Sequence, residues 1–112
     1  MDDHVKKYLA DIRDAAEYIL DVIPEIKSYK EYVSHRFYKP AFERKVEIIG
    51  EALSKALKLS PDLPITNKER IVSMRHRIIH AYDAVDDALV WEVVRKHLPK
   101  LHEEVQDLLK SD

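Results

Sequence analysis

Glycine occurs once in this chain of 112 residues, at Gly50, and that scarcity limits what the chain can fold into. Tight hairpin turns use glycine to reach positive φ, so a sheet of several strands would need more of it. Charged residues make up 36% of the chain and are interspersed with Leu, Ile and Ala, the composition of helices that each keep one wet face. With no cysteine, disulfides, thiolate metal sites and cysteine nucleophiles are excluded together, and a reducing compartment is indicated. Met1-Asp2-Asp3-His4 provides neither the basic nor the apolar part of a leader. No apolar run approaches the roughly 20 residues of a membrane span, so a soluble, cytoplasmic protein is expected.

Apolar residues trace helical faces along the chain. Val5, Tyr8, Leu9, Ile12, Ala15, Ala16, Ile19, Val22 and Ile23 recur at the spacing of one face, with Asp2 and Asp3 at the favourable N-terminal end and Pro24 closing the helix. Ser28-Tyr29-Lys30-Glu31 has the form of a capping box and opens a short helix with Tyr29, Tyr32 and Val33. Pro40 marks a boundary or kink before a third stripe, Phe42, Val46, Ile49, Leu53, Ala56 and Leu57, which must stop near Pro61. Thr66-Asn67-Lys68-Glu69 is a second capping box, starting a helix with the core stripe Ile71, Met74 and Ile78 that runs to about His80. Asp86 is placed to cap a helix carrying Leu89, Val90, Val93 and Val94, and Pro99 falls where the chain must bend or restart before Leu101, Val105, Leu108 and Leu109. No repeat or linker divides the chain. The expectation is one all-α domain over residues 1–112, an up-and-down bundle of four to five helices that buries roughly 65% of its unfolded surface.

The helix from Thr66 is the most informative for function. Val72 and Ile79 form a second apolar stripe about 100° from the core stripe, and Arg75 lies between the two. A guanidinium in that position calls for an anion or carboxylate, and the second stripe calls for a cover, most simply a copy of the same helix across a two-fold axis. Lys68, Arg70, Arg75 and Arg77 stand against the single acid Glu69 before Asp83, Asp86, Asp87 and Glu92 follow. Net charge is only −2, so any nucleic-acid contact has to come from such a local basic spot. With His76 and His80 alongside, it suits a phosphate-bearing ligand: arginine for bidentate contact with phosphate oxygens, imidazole for proton transfer near neutral pH.

Arg75-His76-Arg77-Ile78-Ile79-His80-Ala81-Tyr82 resembles the R-x4-H-x-Y signature of HEPN-domain proteins of the HepT type, the toxin half of a toxin-antitoxin pair whose antitoxin is a minimal nucleotidyltransferase. Glu47 through Ala52 is similar to the family's IIGEA helix, Asp86 through Trp91 to its D-x4-W helix start, and Leu98 through Leu101 to its LPxL ending. His76 stands where the family frequently has Asn. The resemblance implies a HEPN-like bundle packing as a two-fold homodimer, and a metal-independent ribonuclease without cofactor. Arg75 and His80 of two copies would meet over one RNA phosphodiester, with His76 and Arg77 in support. It also implies transfer of AMP by the nucleotidyltransferase onto Tyr82. Positions five apart on a helix point about 140° away from each other, so a helix end at His80 or a second copy is needed to bring the two groups together.

Blander readings stand beside these. Arg75 could pair with Glu47 or Glu51 inside the bundle, His80 could serve as a cation at a helix C-terminus, and Tyr82 could pack beside a loop. His76 and His80 have the spacing of two zinc ligands but lack the glutamate between them. His97 and His102 read as surface residues, Trp91 as core, and Asp83, Asp86 and Asp87 as a solvated loop and cap that could hold Arg77 in a dimer. Gly50 inside a helix costs up to about 1 kcal/mol, which suggests close approach of another backbone or a ligand. An alternative function is a non-catalytic nucleotide- or RNA-binding module that serves a nucleotidyltransferase as subunit or substrate.

Overall fold

Asp2 opens the first helix. Its carboxylate accepts the backbone N–H of His4 at 2.6 Å and of Val5 at 3.3 Å, satisfying two of the amides a helix leaves bare at its start. The His4 amide is the main reason the Asp2 carboxyl is held below its ordinary range. Helix α1 then runs over Asp3–Val22, buries Val5, Leu9, Ile12, Ala15, Ala16 and Ile19, and ends in a 3₁₀ turn, Ile23–Glu25, that contains Pro24. In the computed structural model the described residues are 1–79 and 86–111, side chains at 78 and 79 excepted.

The capping box at Ser28 forms with a shift of one residue. Ser28 Oγ accepts from Glu31 N at 3.1 Å, while the Glu31 carboxylate reaches the N–H of Lys27 at 3.1 Å. This fixes the short helix α2, Tyr29–Ser34, and drives Tyr32 into the core. Helix α3, Tyr38–Leu59, holds Pro40 in its first turn, where a missing N–H costs nothing. Its start is secured by a residue with no pattern in the sequence: His35 Nδ1 accepts from Phe37 N at 3.2 Å and Tyr38 N at 3.0 Å, and the imidazole stacks on the Tyr38 ring.

The second capping box does not form. Thr66 turns its N–H and hydroxyl to the Glu104 carboxylate, at 3.0 and 2.9 Å, so Glu104 accepts the amide that Glu69 would hold in a capping box. Asn67 adopts the left-handed region at φ 58°, and α4 begins one residue later, as Lys68–Ile79. Asp86 caps α5, Asp87–Glu92, by accepting from Leu89 N at 3.0 Å. Pro99 does not break the chain's last rod. A π-helical turn over Val93–His97 links α5 to α6, Leu98–Lys110, with the Leu98 N–H reaching back to Val93 O. Pro99 thereby stands in the first turn of α6, where a proline is tolerated.

Taking α5, the π turn and α6 as one rod, the fold is the all-α bundle expected, with α1 packed on α3 and α6 and α3 packed on α4. It measures 41 × 29 × 19 Å, about two helix diameters thick. Fully buried Leu9, Ile12, Ile19, Phe42, Leu53, Ile71 and Met74 share its core. Each such side chain stabilises by roughly 1.5–3 kcal/mol, against about 1 kcal/mol or less for an exposed ion pair, so packing rather than charge holds the bundle. No helix among the described residues is long and apolar enough to cross a membrane.

Trp91 is half-buried rather than core. One face stacks on Tyr32, centroids 5.2 Å apart, and Arg95 lies 5.3 Å above the ring. Tyr32 stacks in turn on Phe42, and its buried hydroxyl has no hydrogen-bond partner. Burial, with Glu43 and Asp87 nearby, pushes its pKa up. Since an orphaned buried hydroxyl costs free energy that a phenyl ring does not, Tyr32→Phe is expected to leave stability unchanged or raise it by about 1 kcal/mol. Urea denaturation checks this; a clear loss would mean the hydroxyl is bonded.

Candidate active site

Helix α4 lies against α3 with Ile71 and Met74 buried, and Arg75 comes next on the same surface. What brings the two helices this close is Gly50. A Cβ at that position would stand 3.0 Å from Arg75 Cβ and 3.5 Å from Ile71 O. The glycine that the sequence marks as a place of close approach therefore faces the backbone of the residue that the sequence marks for function.

Arg75 is half-buried, and its Nε is buried without a hydrogen-bond partner. The internal ion pairs considered for it do not form: Glu47 lies 3.6 Å from Arg44, and Glu51 lies 3.4 Å from Lys55. The other cations of α4 are engaged. Lys68 donates to the carbonyls of Pro61 and Leu63, at 3.0 and 3.2 Å, Arg70 pairs with Glu92, and Arg77 pairs with Asp86. The basic stripe in the sequence is thus largely compensated in the fold. Among the described residues, Arg75 is the α4 cation that no acid or carbonyl holds.

Arg77 and Asp86 are joined within one chain, whereas the sequence suggested that the acidic run could hold Arg77 across a dimer. His76 is exposed and borders an open groove of about 440 Å³ between α3 and α4, whose floor is Leu57 and Val72 and whose rim includes Ser54, Lys58 and Ser73. Val72 is half-buried, as a residue of the second apolar stripe should be; the side chain of its companion at 79 lies outside the described residues. His80 and Tyr82 also lie outside them, and so does Asp83. Among the described residues no group of three or more His, Asp or Glu side chains gathers as metal ligands.

His97 and His102 are half-buried rather than on the surface. His97 lies 3.7 Å from Glu92 and 3.2 Å from the Asn67 amide, while His102 lies 3.2 Å from Glu17. Glu92 was read in the sequence only as one of the acids that follow the basic helix, yet it draws Arg70 and His97 together at the base of α4. Its place at the end of α5, six residues after the Asp86 cap, was the available signal.

A family model described as ribonuclease HepT-like matches residues 6–108. The chain belongs to the HepT-like ribonuclease family. It is 34% identical to a probable ribonuclease HepT of Thermococcus cleftensis, over 94% of this chain and 96% of that protein. It is 32% identical to a candidate RNase of Methanocaldococcus jannaschii, over 96% of this chain and 88% of the relative. A candidate RNase of Caldanaerobacter subterraneus subsp. tengcongensis is 30% identical, with 96% of each chain covered. No solved structure matches. Within this HepT-like chain the matched span takes in Gly50, the whole of α4 and the Asp86 cap.

The Gly50 contact gives a prediction whose sign depends on two opposed magnitudes. Gly50→Ala gains up to about 1 kcal/mol of helix propensity, but placing a methyl 3.0 Å from Arg75 Cβ overpacks the seam, at a typical cost of about 1–3 kcal/mol. A net loss of about 1 kcal/mol in urea unfolding is expected, because the crowded atom sits on a helix backbone rather than at the end of a flexible side chain.

Proposed function

We propose that this chain is a metal-independent endoribonuclease in which Arg75 and His80, contributed by two copies related by a two-fold axis, act on one RNA phosphodiester. The observation that carries the reading is the uncompensated guanidinium of Arg75 in a chain of the HepT-like family. A half-buried cation with no acid on it favours an incoming anion, and a guanidinium matches the geometry of two phosphate oxygens.

In this mechanism a neutral His80 takes the proton of the RNA 2′-hydroxyl as that oxygen attacks phosphorus. Arg75 stabilises the charge that grows on the non-bridging oxygens, and His80 of the second copy gives a proton to the departing 5′-oxygen. The products are a 2′,3′-cyclic phosphate and a 5′-hydroxyl, with one proton taken and one returned. His76 stands close enough in sequence to support the proton transfer. The half-buried Val72 on α4 supports a two-fold contact along this helix. A minimal nucleotidyltransferase would silence the enzyme by transferring AMP to Tyr82, adding negative charge and a nucleoside where RNA must enter.

The test is cleavage of a defined RNA in EDTA, with product ends identified. Arg75→Ala and His80→Ala are each expected to lower the rate by at least about 100-fold while the melting temperature moves little and the sedimentation of a dimer persists. Retained cleavage by both variants would overturn the mechanism. Stoichiometric RNA binding with no turnover by the unaltered protein would instead establish the non-catalytic binding module.

A further inference from the structure

Where α2 and α5 meet the start of α3 lies a surface that the proposed reaction does not use. Residues 27–39, KSYKEYVSHRFYK, interleave cations with aromatic rings and hold one acid, Glu31. The rings are anchored. His35 stacks on Tyr38 at 4.3 Å and meets the edge of Phe37 at 6.5 Å. Trp91 stacks on Tyr32 at 5.2 Å and lies 6.5 Å from Tyr29. Buried Phe42 joins the two groups, 6.3 Å from Tyr38 and 5.7 Å from Tyr32. Both ends of this row open to solvent, with Phe37 70% and Tyr29 42% exposed. Rings held on a packed base and left in water mark an interaction surface, because a flat partner covers them at little cost in side-chain freedom.

The cations here differ from most of those on α4. Among the described residues no acid or carbonyl holds the Lys30 ammonium or the Arg36 guanidinium, and the exposed Arg95 rests over the Trp91 ring at 5.3 Å. The acids close by are engaged. Glu31 accepts from the Lys27 amide at 3.1 Å, while Glu43 and Asp87 both face Lys39, at 2.8 and 3.3 Å. Charge therefore selects the occupant. A second copy across a two-fold axis would set Lys30 and Arg36 against their own images, like charge on like. A polyanion that carries flat rings satisfies the whole surface at once, since unpaired bases stack on aromatic side chains and guanidinium planes while phosphates lie on the cations.

We propose that this surface is a docking platform for single-stranded RNA, with bases on Phe37, on Tyr29 and against Arg95 above Trp91, and with phosphates on Lys30 and Arg36. Its ligand rests on the ribonuclease reading given above. Phe42 precedes Gly50 by eight residues on α3, about 12 Å along the helix, so the row stands a few nucleotides from Arg75, which α4 presents at Gly50. The platform thus holds the strand that flanks the phosphodiester. It reads bases by their faces and so tolerates any sequence, but it rejects a duplex, whose bases are already stacked in pairs.

The probe is a fluorescein-labelled 2′-O-methyl octauridylate, which has no 2′-hydroxyl to attack and reports binding to the full chain without cleavage. Phe37→Ala and Tyr29→Ala are each expected to raise its Kd about tenfold, with melting temperature and sedimentation little changed. Arg36→Gln is expected to lower the slope of log Kd against log salt by about 0.7. Trp91 is the chain's one tryptophan, and its fluorescence is expected to fall as the probe binds.

Unchanged Kd in both ring variants would overturn the platform and leave the surface to a protein partner. Altered sedimentation of Phe37→Ala with the probe still bound as before would overturn it in favour of a contact between copies. Binding that leaves Trp91 fluorescence unmoved, or a duplex of the same length bound as tightly, would overturn it too. If the unaltered chain cleaves no RNA while the ring variants bind the probe more weakly, the ribonuclease reading fails and the platform stands. If cleavage depends on Arg75 while the ring variants bind as the unaltered chain does, the reverse holds.

Discussion

The close seating of α4 on α3 at Gly50 is the constraint from which the rest of the candidate site follows. Two helices with side chains at their contact normally stand 8–10 Å apart; removing a Cβ lets one backbone enter the other's groove. Arg75 leaves α4 directly opposite that gap, with Cα, Cβ and the neighbouring Ile71 carbonyl all within 4 Å of where a Gly50 Cβ would be. The first part of the arginine side chain is thereby enclosed by packing. Its Nε is left buried without a partner, a cost that a fold tolerates when something else compensates it.

The charges of α4 sort into structural and unspent. Lys68 closes the end of the preceding loop, Arg70 reaches across to α5, and Arg77 reaches Asp86. Each neutralised cation contributes little to the potential beyond a Debye length, about 8–10 Å at ordinary salt. The uncompensated positive charge of α4 is therefore concentrated at Arg75 rather than spread along the helix. This is the opposite of a non-specific nucleic-acid binder, which presents a stripe of free cations and gains affinity from the backbone as a whole.

Much of the fold was legible in the sequence because the period of a helix converts directly into a buried face. Val5 through Ile19, Phe42 through Ala56, and Leu101 with Val105 all lie where the spacing puts them, and the caps at Asp2, Ser28 and Asp86 involve only residues within four of each other. What failed was whatever depended on a distant competitor. Thr66 has the local pattern of a capping box, but Glu104, far along the chain, replaces Glu69 as the acceptor of its amide. The Arg70 and Glu92 pair and the stacking of Trp91 on Tyr32 join elements whose proximity no local pattern reveals. His35 was unreadable for a different reason: a histidine capping through Nδ1 has no positional signature comparable to Ser or Asp. For the site, the role of Gly50 could be anticipated from its cost alone, while the occupation of Arg77 could not.

Among the described residues three buried polar atoms lack a hydrogen-bond partner, Tyr32 Oη, Arg75 Nε and Asp87 Oδ1; the last faces the Lys39 ammonium at 3.3 Å, and the contrast between the other two bears on function. Tyr32 is fully buried within an aromatic stack, between Trp91 and Phe42. Ring packing fixes where its hydroxyl must go, and the neighbouring Glu43 and Asp87 only make ionisation harder. No solute can reach it, so its orphaned state is a packing cost and nothing more. Arg75 is only half-buried, and it carries a full charge at any physiological pH. A group that is permanently charged, partly desolvated and uncompensated has the most to gain from an anion that arrives from outside. The same fold therefore contains one unsatisfied group that only a mutation can relieve and another that a ligand can.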